Sequence, residues 1–349
     1  MEIIGTIVSA VIVFGLLIFI HEFGHYIFAR IFGVTIHEFS IGMGPKLFKY
    51  KSKKTDITYA IGCIPFGGYV AMAGEDEESE DPNSFDKKPA WQRFIITVAG
   101  ATVNVVAGFL AMLIFTCLVN YGGTTVAEFV DKEVSGFEIS SADSGLMIGD
   151  LITEVNGNRV SIGDELSYEL MRHGTSPVTL TIVRDGKEMI LEDVVFPTVE
   201  SNGESFGMMD FKIFREEKTV GTVLKYSWAK SVLIVRMCWE TLYDLITGRY
   251  GINAISGPVG ISTAIGDAAR ANDHTIIYIF ALISINLGIM NMLPVPALDG
   301  GRSVMLLFEM ITKKRIPVKI EGIINGVALL LLMLFSVFIM IKDIFQLIG

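Results

Sequence analysis

Cysteine is scarce in this sequence, and so is basic charge. The three cysteines, Cys63, Cys117 and Cys238, lie far apart and make no C-x-x-C pair. That excludes a disulfide framework and a cysteine-built zinc ribbon, and the thiols read as structural or incidental. Lysine and arginine number 28 against 38 acidic residues, a formal net charge of −10. A basic face for nucleic acid is not available from that balance. Charge of either sign is only 19% of the chain, and long stretches hold none. The N-terminal apolar run has no cationic segment ahead of it, since Glu2 is the only charge before His21, and no A-x-A site behind it. It therefore reads as a retained transmembrane helix and not as a cleaved signal.

What fills the chain instead is apolar. Hydrophobic residues make up 51% and the mean hydropathy is +0.52, values suited to a polytopic α-helical membrane protein carrying a soluble insert. Four transmembrane helices are expected, at about residues 3–32, 94–119, 275–293 and 323–341. The domains expected are a first transmembrane half at 1–120, an inserted soluble domain at 121–199, a linker with an interfacial helix at 200–274, and a second transmembrane half at 275–349.

In the first span stands His21-Glu22-Phe23-Gly24-His25. Histidines four apart lie on one helix face, one above the other. In the H-E-x-x-H pattern both imidazoles bind zinc and the glutamate is the general base. Placing these groups at the end of a membrane-length apolar run is costly, and ionisable groups at that depth usually serve function. The remaining histidines, His37, His173 and His274, read as surface or loop residues.

After Gly33 comes a lysine-rich region in which 39–45 and 57–61 have short-strand character, punctuated by glycines and Pro65. A small β-hairpin region beside the active site, dipping into the membrane, is expected there. The acidic run 75–81 reads as a solvated loop. Asn104, the one strongly polar residue of the second span, reads as an interhelical hydrogen bond. From Tyr121 to about Thr198 the composition is that of a soluble domain. Gly149-Asp150 leads into an alternating strand closed by the tight turn Asn156-Gly157, a helix follows at 164–172, and a strand at 178–183 leads to the turn Arg184-Asp185-Gly186-Lys187. This pattern resembles a bacterial, circularly permuted PDZ domain, a type that binds extended peptides by strand addition. Residues 220–247 mix apolar positions with five charges and two tryptophans, which predicts an amphipathic helix at the membrane interface and a candidate gate.

Charge gives the orientation. The lysine-rich stretch after the first span and the cationic loop at 302–319 should face the cytoplasm. The PDZ-like domain is then extracytoplasmic, across the membrane from the end that carries the two histidines.

A catalytic zinc usually takes three protein ligands and keeps one position open. The third is expected from Asn291-Met292-Leu293-Pro294-Val295-Pro296-Ala297-Leu298-Asp299-Gly300-Gly301. Its two prolines break the third span, and broken backbone at membrane depth is tolerated where it lines a cavity. Asp299 would be delivered there by a glycine-rich turn.

H-E-F-G-H in the first span, a PDZ-like domain, and N-x-x-P-x-P-x-L-D-G near the end of the third resemble the site-2 protease family of intramembrane zinc metalloproteases, specifically its bacterial regulator-of-sigma-E protease type. The resemblance covers nearly the whole chain. It implies Zn2+ held by His21, His25 and Asp299, Glu22 as base, and Asn291 holding substrate or transition state. Gly42-Met43-Gly44 resembles the family's G-x-G edge strand, and Gly67-Gly68-Tyr69 falls in its membrane-re-entrant β-loop, so these six are substrate-binding candidates. Two departures stand out. Only one PDZ-like domain fits where some members have two, and Ala101 stands where the family's A-G-P-x-x-N has proline. The implied function is cleavage of single-span membrane proteins, such as anti-sigma factors or remnant signal peptides, in the bacterial inner membrane, with lipid and peptide C-termini as further partners. The competing expectation is a membrane-anchored PDZ adaptor with a structural metal.

Overall fold

The computed structural model describes residues 2–75, 77, 79–131, 139–201, 204–249, 255–271 and 273–348. In chain order the elements are α1 (Glu2–Ile31), β1 (Ile36–Lys51), β2 (Thr58–Met72), α2 (Ala90–Leu118), β3 (Gly122–Phe129), β4 (Leu151–Val155), β5 (Asn158–Arg159), α3 (Gly163–His173), β6 (Val178–Arg184), β7 (Lys187–Val194), β8 (Thr198–Ser201), β9 (Glu204–Gly207), β10 (Phe211–Arg215), α4 (Val220–Thr247), α5 (Pro258–Arg270), α6 (Thr275–Asn291), α7 (Asp299–Thr312) and α8 (Val318–Ile348). The chain divides into two compact units, residues 1–112 with 234–349, and residues 113–233.

Among the described residues, three helices are long and apolar enough to cross a membrane: Ile3–Ile31, Ala90–Leu118 and Ile320–Gln346. Their apolar side chains point outward in number, Ile3 at 76% and Leu330 at 59% exposed, as lipid-facing helices require. The expected fourth span is α6, an uncharged helix of 17 residues. At about 1.5 Å per residue it is slightly short of a hydrocarbon core of about 30 Å. It stops at Asn291 because Pro294 and Pro296 follow. α5 and α6 close against α1 through Ala10, Val13, Leu17 and Ile265.

The small sheet is more folded than a hairpin. Residues 36–41 of β1 pair with 68–72 of β2, Ile36 opposite Met72 and Ile41 opposite Gly68. Their other side lies along 58–61, Glu38 level with Thr58 and Ile41 with Ile61. β1 then turns at Gly42 and Gly44, both with φ +78°, and its second half pairs back from Lys46–Gly62 to Lys51–Thr58. Two long bent strands so make a sheet four segments wide with 68–72 at one edge. Val34, Ile36, Phe39, Val70, Met72, Phe85 and Ile96 form the core beneath it.

The second unit is built on a six-stranded sheet in the order β10-β3-β4-β6-β7, with β5 paired to β4. Asn156 and Gly157, at φ 50° and 80°, make the two-residue turn between β4 and β5. α3 contributes Leu166 and Leu170 to a core with Val126, Ile152, Leu180, Ile182 and Phe211. The expected domain boundary at residue 199 falls short of this sheet's end. β10 pairs with β3, Phe211 opposite Phe129, and buries Phe211, so the sheet is incomplete without 211–215.

Two stretches read as irregular are helical. The expected linker contains α5, and the expected cationic loop at 302–319 is helix as far as Thr312. In α7 the face that carries Gly300, Gly301, Ser303 and Leu306 is buried, a stripe of mostly small residues that pattern reading took for a turn.

Candidate metal centre

α1 runs unbroken through His21 and His25 because its 30 residues contain no proline and almost no charge. One turn apart, the two rings meet at 80° with centroids 4.9 Å apart, and their Nε2 atoms are 3.3 Å apart. Asp299 arrives from the other end of the chain as the first residue of α7. Its Oδ2 lies 3.2 Å from Nε2 of His21 and 3.3 Å from Nε2 of His25.

Each ring is held by its far nitrogen. His25 Nδ1 donates to the carbonyl of Ile96 at 2.8 Å, which leaves Nε2 with its lone pair free. At His21 the side-chain nitrogen of Asn104 is 3.2 Å from Nδ1, while Asn104 Oδ1 is buried with no partner. Amide oxygen and nitrogen are near-isosteric. Exchanging them lets Oδ1 accept from Nδ1–H of His21, satisfies the orphaned oxygen and frees the lone pair of Nε2. Asn104 is further anchored because its backbone carbonyl accepts from Ser284 Oγ at 2.7 Å. Read from sequence as an interhelical bond, it is that and also the support of a site histidine.

The three facing atoms are two imidazole nitrogens and a carboxylate oxygen, a donor set that suits zinc. Asp299 Oδ2 is buried and makes no conventional hydrogen bond, as an oxygen shaped for a cation would be. A tetrahedral zinc with bonds of about 2.0–2.1 Å separates its ligands by about 3.3 Å, which matches the separations of 3.2, 3.3 and 3.3 Å found here. Among the described residues these three are the only such convergent group.

A cavity of about 670 Å³ opens over them, lined also by Glu22, by residues 68–75 and by Arg302. Gly68 brings the sheet edge against α1. A Cβ there would sit 2.9 Å from Cγ of Glu22 and 2.8 Å from Ile18.

The candidate substrate residues part company. Gly68 and Tyr69 line the cavity, and Gly67 precedes them. Gly42, Met43 and Gly44 are not among the lining residues. They form the corner of β1, where Met43 pairs with Ile64 and packs its side chain on Gly67. The edge that borders the cavity is therefore 68–72, because β1 folds inward between two neighbours. Asn291 ends α6 half-buried and is likewise not among the lining residues.

Other residues enter that pattern reading passed over. His37 lines the cavity, as do Glu75, Glu77 and Ser79 of the supposed solvated acidic loop; Asp76 and Glu78 lie outside the described residues. Gly100 of α2 lies flat against both imidazoles. Nothing local marks these residues, except that Gly100 and Asn104 stand four apart on one face of α2, in its stretch after Arg93 that carries no charge.

A family model described as peptidase family M50 matches residues 9–335. A protein of Clostridium perfringens that carries a zinc-metalloprotease name is 35% identical over 97% of this chain and 98% of its own length. One of Clostridium acetobutylicum, similarly named, is 32% identical over 97% of both chains. The zinc metalloprotease RasP of Shouchella clausii is 27% identical over 98% of this chain and 99% of its own.

Proposed function

As a member of peptidase family M50 the chain is a membrane-embedded zinc metalloprotease, and we propose that it cuts single-span membrane proteins with His21, His25 and Asp299 as its zinc ligands and Glu22 as its general base. The observation that carries this reading is the convergence of Nε2, Nε2 and Oδ2 from sequence positions almost 280 residues apart, at 3.2 to 3.3 Å from one another. When bound, zinc supplies Lewis acidity, polarising a scissile carbonyl and making water acidic enough to attack near neutral pH. Glu22 lies beside His21 on the cavity wall. Its carboxylate takes the proton of the attacking water and hands it to the leaving amide nitrogen. Asn104 and the Ile96 carbonyl hold the imidazoles so that lone pairs face inward. Asn291, at the end of α6 and outside the cavity lining, serves as an added donor to a substrate that extends past the cavity.

A helical substrate hides its amides in internal bonds, so it must unwind before attack. The outer edge at 68–72 borders the cavity, and strand addition there would offset part of that cost. This reading moves the pairing edge from Gly42–Gly44 to the segment of Gly68 and Tyr69. α6 completes four spans, the lysine-rich segments face the cytoplasm of a bacterium, and the sheet of the second unit is an extracytoplasmic PDZ-like domain that takes peptide C-termini. α4 lies at the interface and gates access.

The adaptor alternative needs a closed structural site, which usually has four protein ligands. Three converge among the described residues. The test is Glu22→Gln in liposomes with a single-span substrate. The expected result is no cleavage with zinc content unchanged, and single-span proteins accumulating in cells that carry the variant. Cleavage at the wild-type rate would refute the assignment.

A further inference from the structure

Arg302 stands one turn after Asp299 on α7, on the same side of the helix. Its guanidinium reaches three other parts of the first unit. Nη1 donates to Glu75 Oε1 at 2.5 Å and Nη2 to the Glu75 carbonyl at 3.1 Å. Nε donates to Glu321 Oε1 of α8 at 3.1 Å. The plane lies 5.6 Å from the ring of Phe85. The side chain is only 18% exposed.

Glu75 follows directly on the sheet edge 68–72 and itself lines the cavity above the three facing atoms. The same arginine and Asp299 also line a second, smaller cavity of about 260 Å³, shared with Asn325 and Leu329 of α8. Arg302 is thus the wall between two openings and the tie between the cavity's sheet edge, the last helix and the helix that carries Asp299. Asp299 itself has no conventional hydrogen bond to fix its Oδ2. His21 and His25 are each fixed by a partner on α2. The position of the carboxylate must come from the placement of α7.

We propose that Arg302 is a positioning residue that seats Asp299 against the two histidines by locking the start of α7 to Glu75, so that the metal ligand and the sheet edge of the cavity move as one body. This rests on the ligand assignment above. A guanidinium suits the task because its rigid planar fork holds two carboxylates and a carbonyl in fixed directions, where an ammonium is a rotating point charge on a flexible stem. α7 has another tie, Arg93 to Glu309 at 2.5 Å, but Glu309 is about 15 Å along the helix from Asp299 at about 1.5 Å per residue. It can hold the helix without setting the rotation of its first turn.

The experiment uses the full chain in detergent, with zinc affinity read by competition against a chromophoric chelator, and kcat and KM read on a single-span substrate. Partners that orient ligands commonly alter metal affinity or turnover about ten- to a hundredfold when lost. Arg302→Met and Glu75→Gln should each weaken zinc and lower kcat by about tenfold, with KM changed less than about twofold. The double variant should be no worse than Arg302→Met alone, because the Glu75 side chain acts on α7 only through the guanidinium, which Arg302→Met already removes together with its bond to Glu321. Arg302→Lys should regain part of the loss. Glu309→Gln should lower thermal stability and leave zinc affinity intact. Wild-type zinc affinity in Arg302→Met, multiplying losses in the double variant, or an equal zinc loss in Glu309→Gln would each overturn the proposal. Asp299→Asn that holds zinc as tightly as wild type would instead overturn the ligand assignment, and this inference with it.

Discussion

A methyl group on Gly100 would collide with Nε2 of His25 and lie 2.9 Å from Cε1 of His21. α2 passes so close to the imidazole pair that only hydrogen fits there. On the opposing helix a Cβ at Gly24 would sit 2.7 Å from the Ala99 carbonyl. Glycines on both helices let the backbones approach, and that approach brings the Ile96 carbonyl within reach of His25.

Gly100→Ala should therefore displace His25 and weaken zinc at least about tenfold, the range for disturbed ligand support. Metal content after gel filtration against a chelator checks this. Full zinc retention would show that the helices separate without cost to the site.

Asn104 offers a chemical test of its role. Asn104→Asp keeps an oxygen that accepts from His21 Nδ1–H and should retain zinc. Asn104→Leu removes the acceptor while keeping the branched shape and number of side-chain heavy atoms, and should lose about ten- to a hundredfold in affinity. Equal behaviour of the two variants would argue that the residue only packs.

Gly68→Val should act on turnover and not on metal. The added side chain meets Glu22 and Ile18, so the sheet edge must move away from α1. A displacement of about 1 Å near the reacting groups can cost about a hundredfold in rate. Measured kcat should fall while zinc content stays at the wild-type value. A variant with unchanged kcat would place the working edge elsewhere.

In the second unit Asp210 is buried and accepts from Ser140 Oγ at 2.6 Å, Ser141 N at 2.7 Å and Ser141 Oγ at 2.7 Å. Asp210→Ala leaves three donors without an acceptor and should cost about 2–4 kcal/mol of this unit's stability. Pulse proteolysis of the full chain in urea reads it as an earlier midpoint for cleavage within residues 113–233. A midpoint at the wild-type position would mean that water replaces the carboxylate.

Local signals suffice where the chain carries its own instructions. The turn at Asn156-Gly157 needs positive φ at both positions, and both residues tolerate it. The long apolar helices announce themselves by composition. α5 did not, because much of its start is secured from elsewhere. The amides of Gly257 and Gly260 donate to Asp343 of α8 at 2.9 and 3.0 Å, a cap supplied 83 and 86 residues away. α7 was hidden for a related reason. Its glycines suggest a turn, yet they are there so that the helix can lie on the backbone of 292–296, with a Cβ on Gly301 falling 2.8 Å from Cα of Pro296.

By itself the sequence determined which side chains are available for the chemistry. Histidines four apart must share a helix face, an uncharged run of membrane length must leave water, and an aspartate behind two prolines must stand where a helix has been broken. Only the tertiary structure decided what holds those groups in place and which strand borders them. The Asn104 amide, the hydrogen of Gly100, the fork of Arg302 and the inward folding of β1 all act across chain separations that no periodicity records. Their effect depends on distances of a few ångströms between backbones, and such distances exist only once the helices have packed.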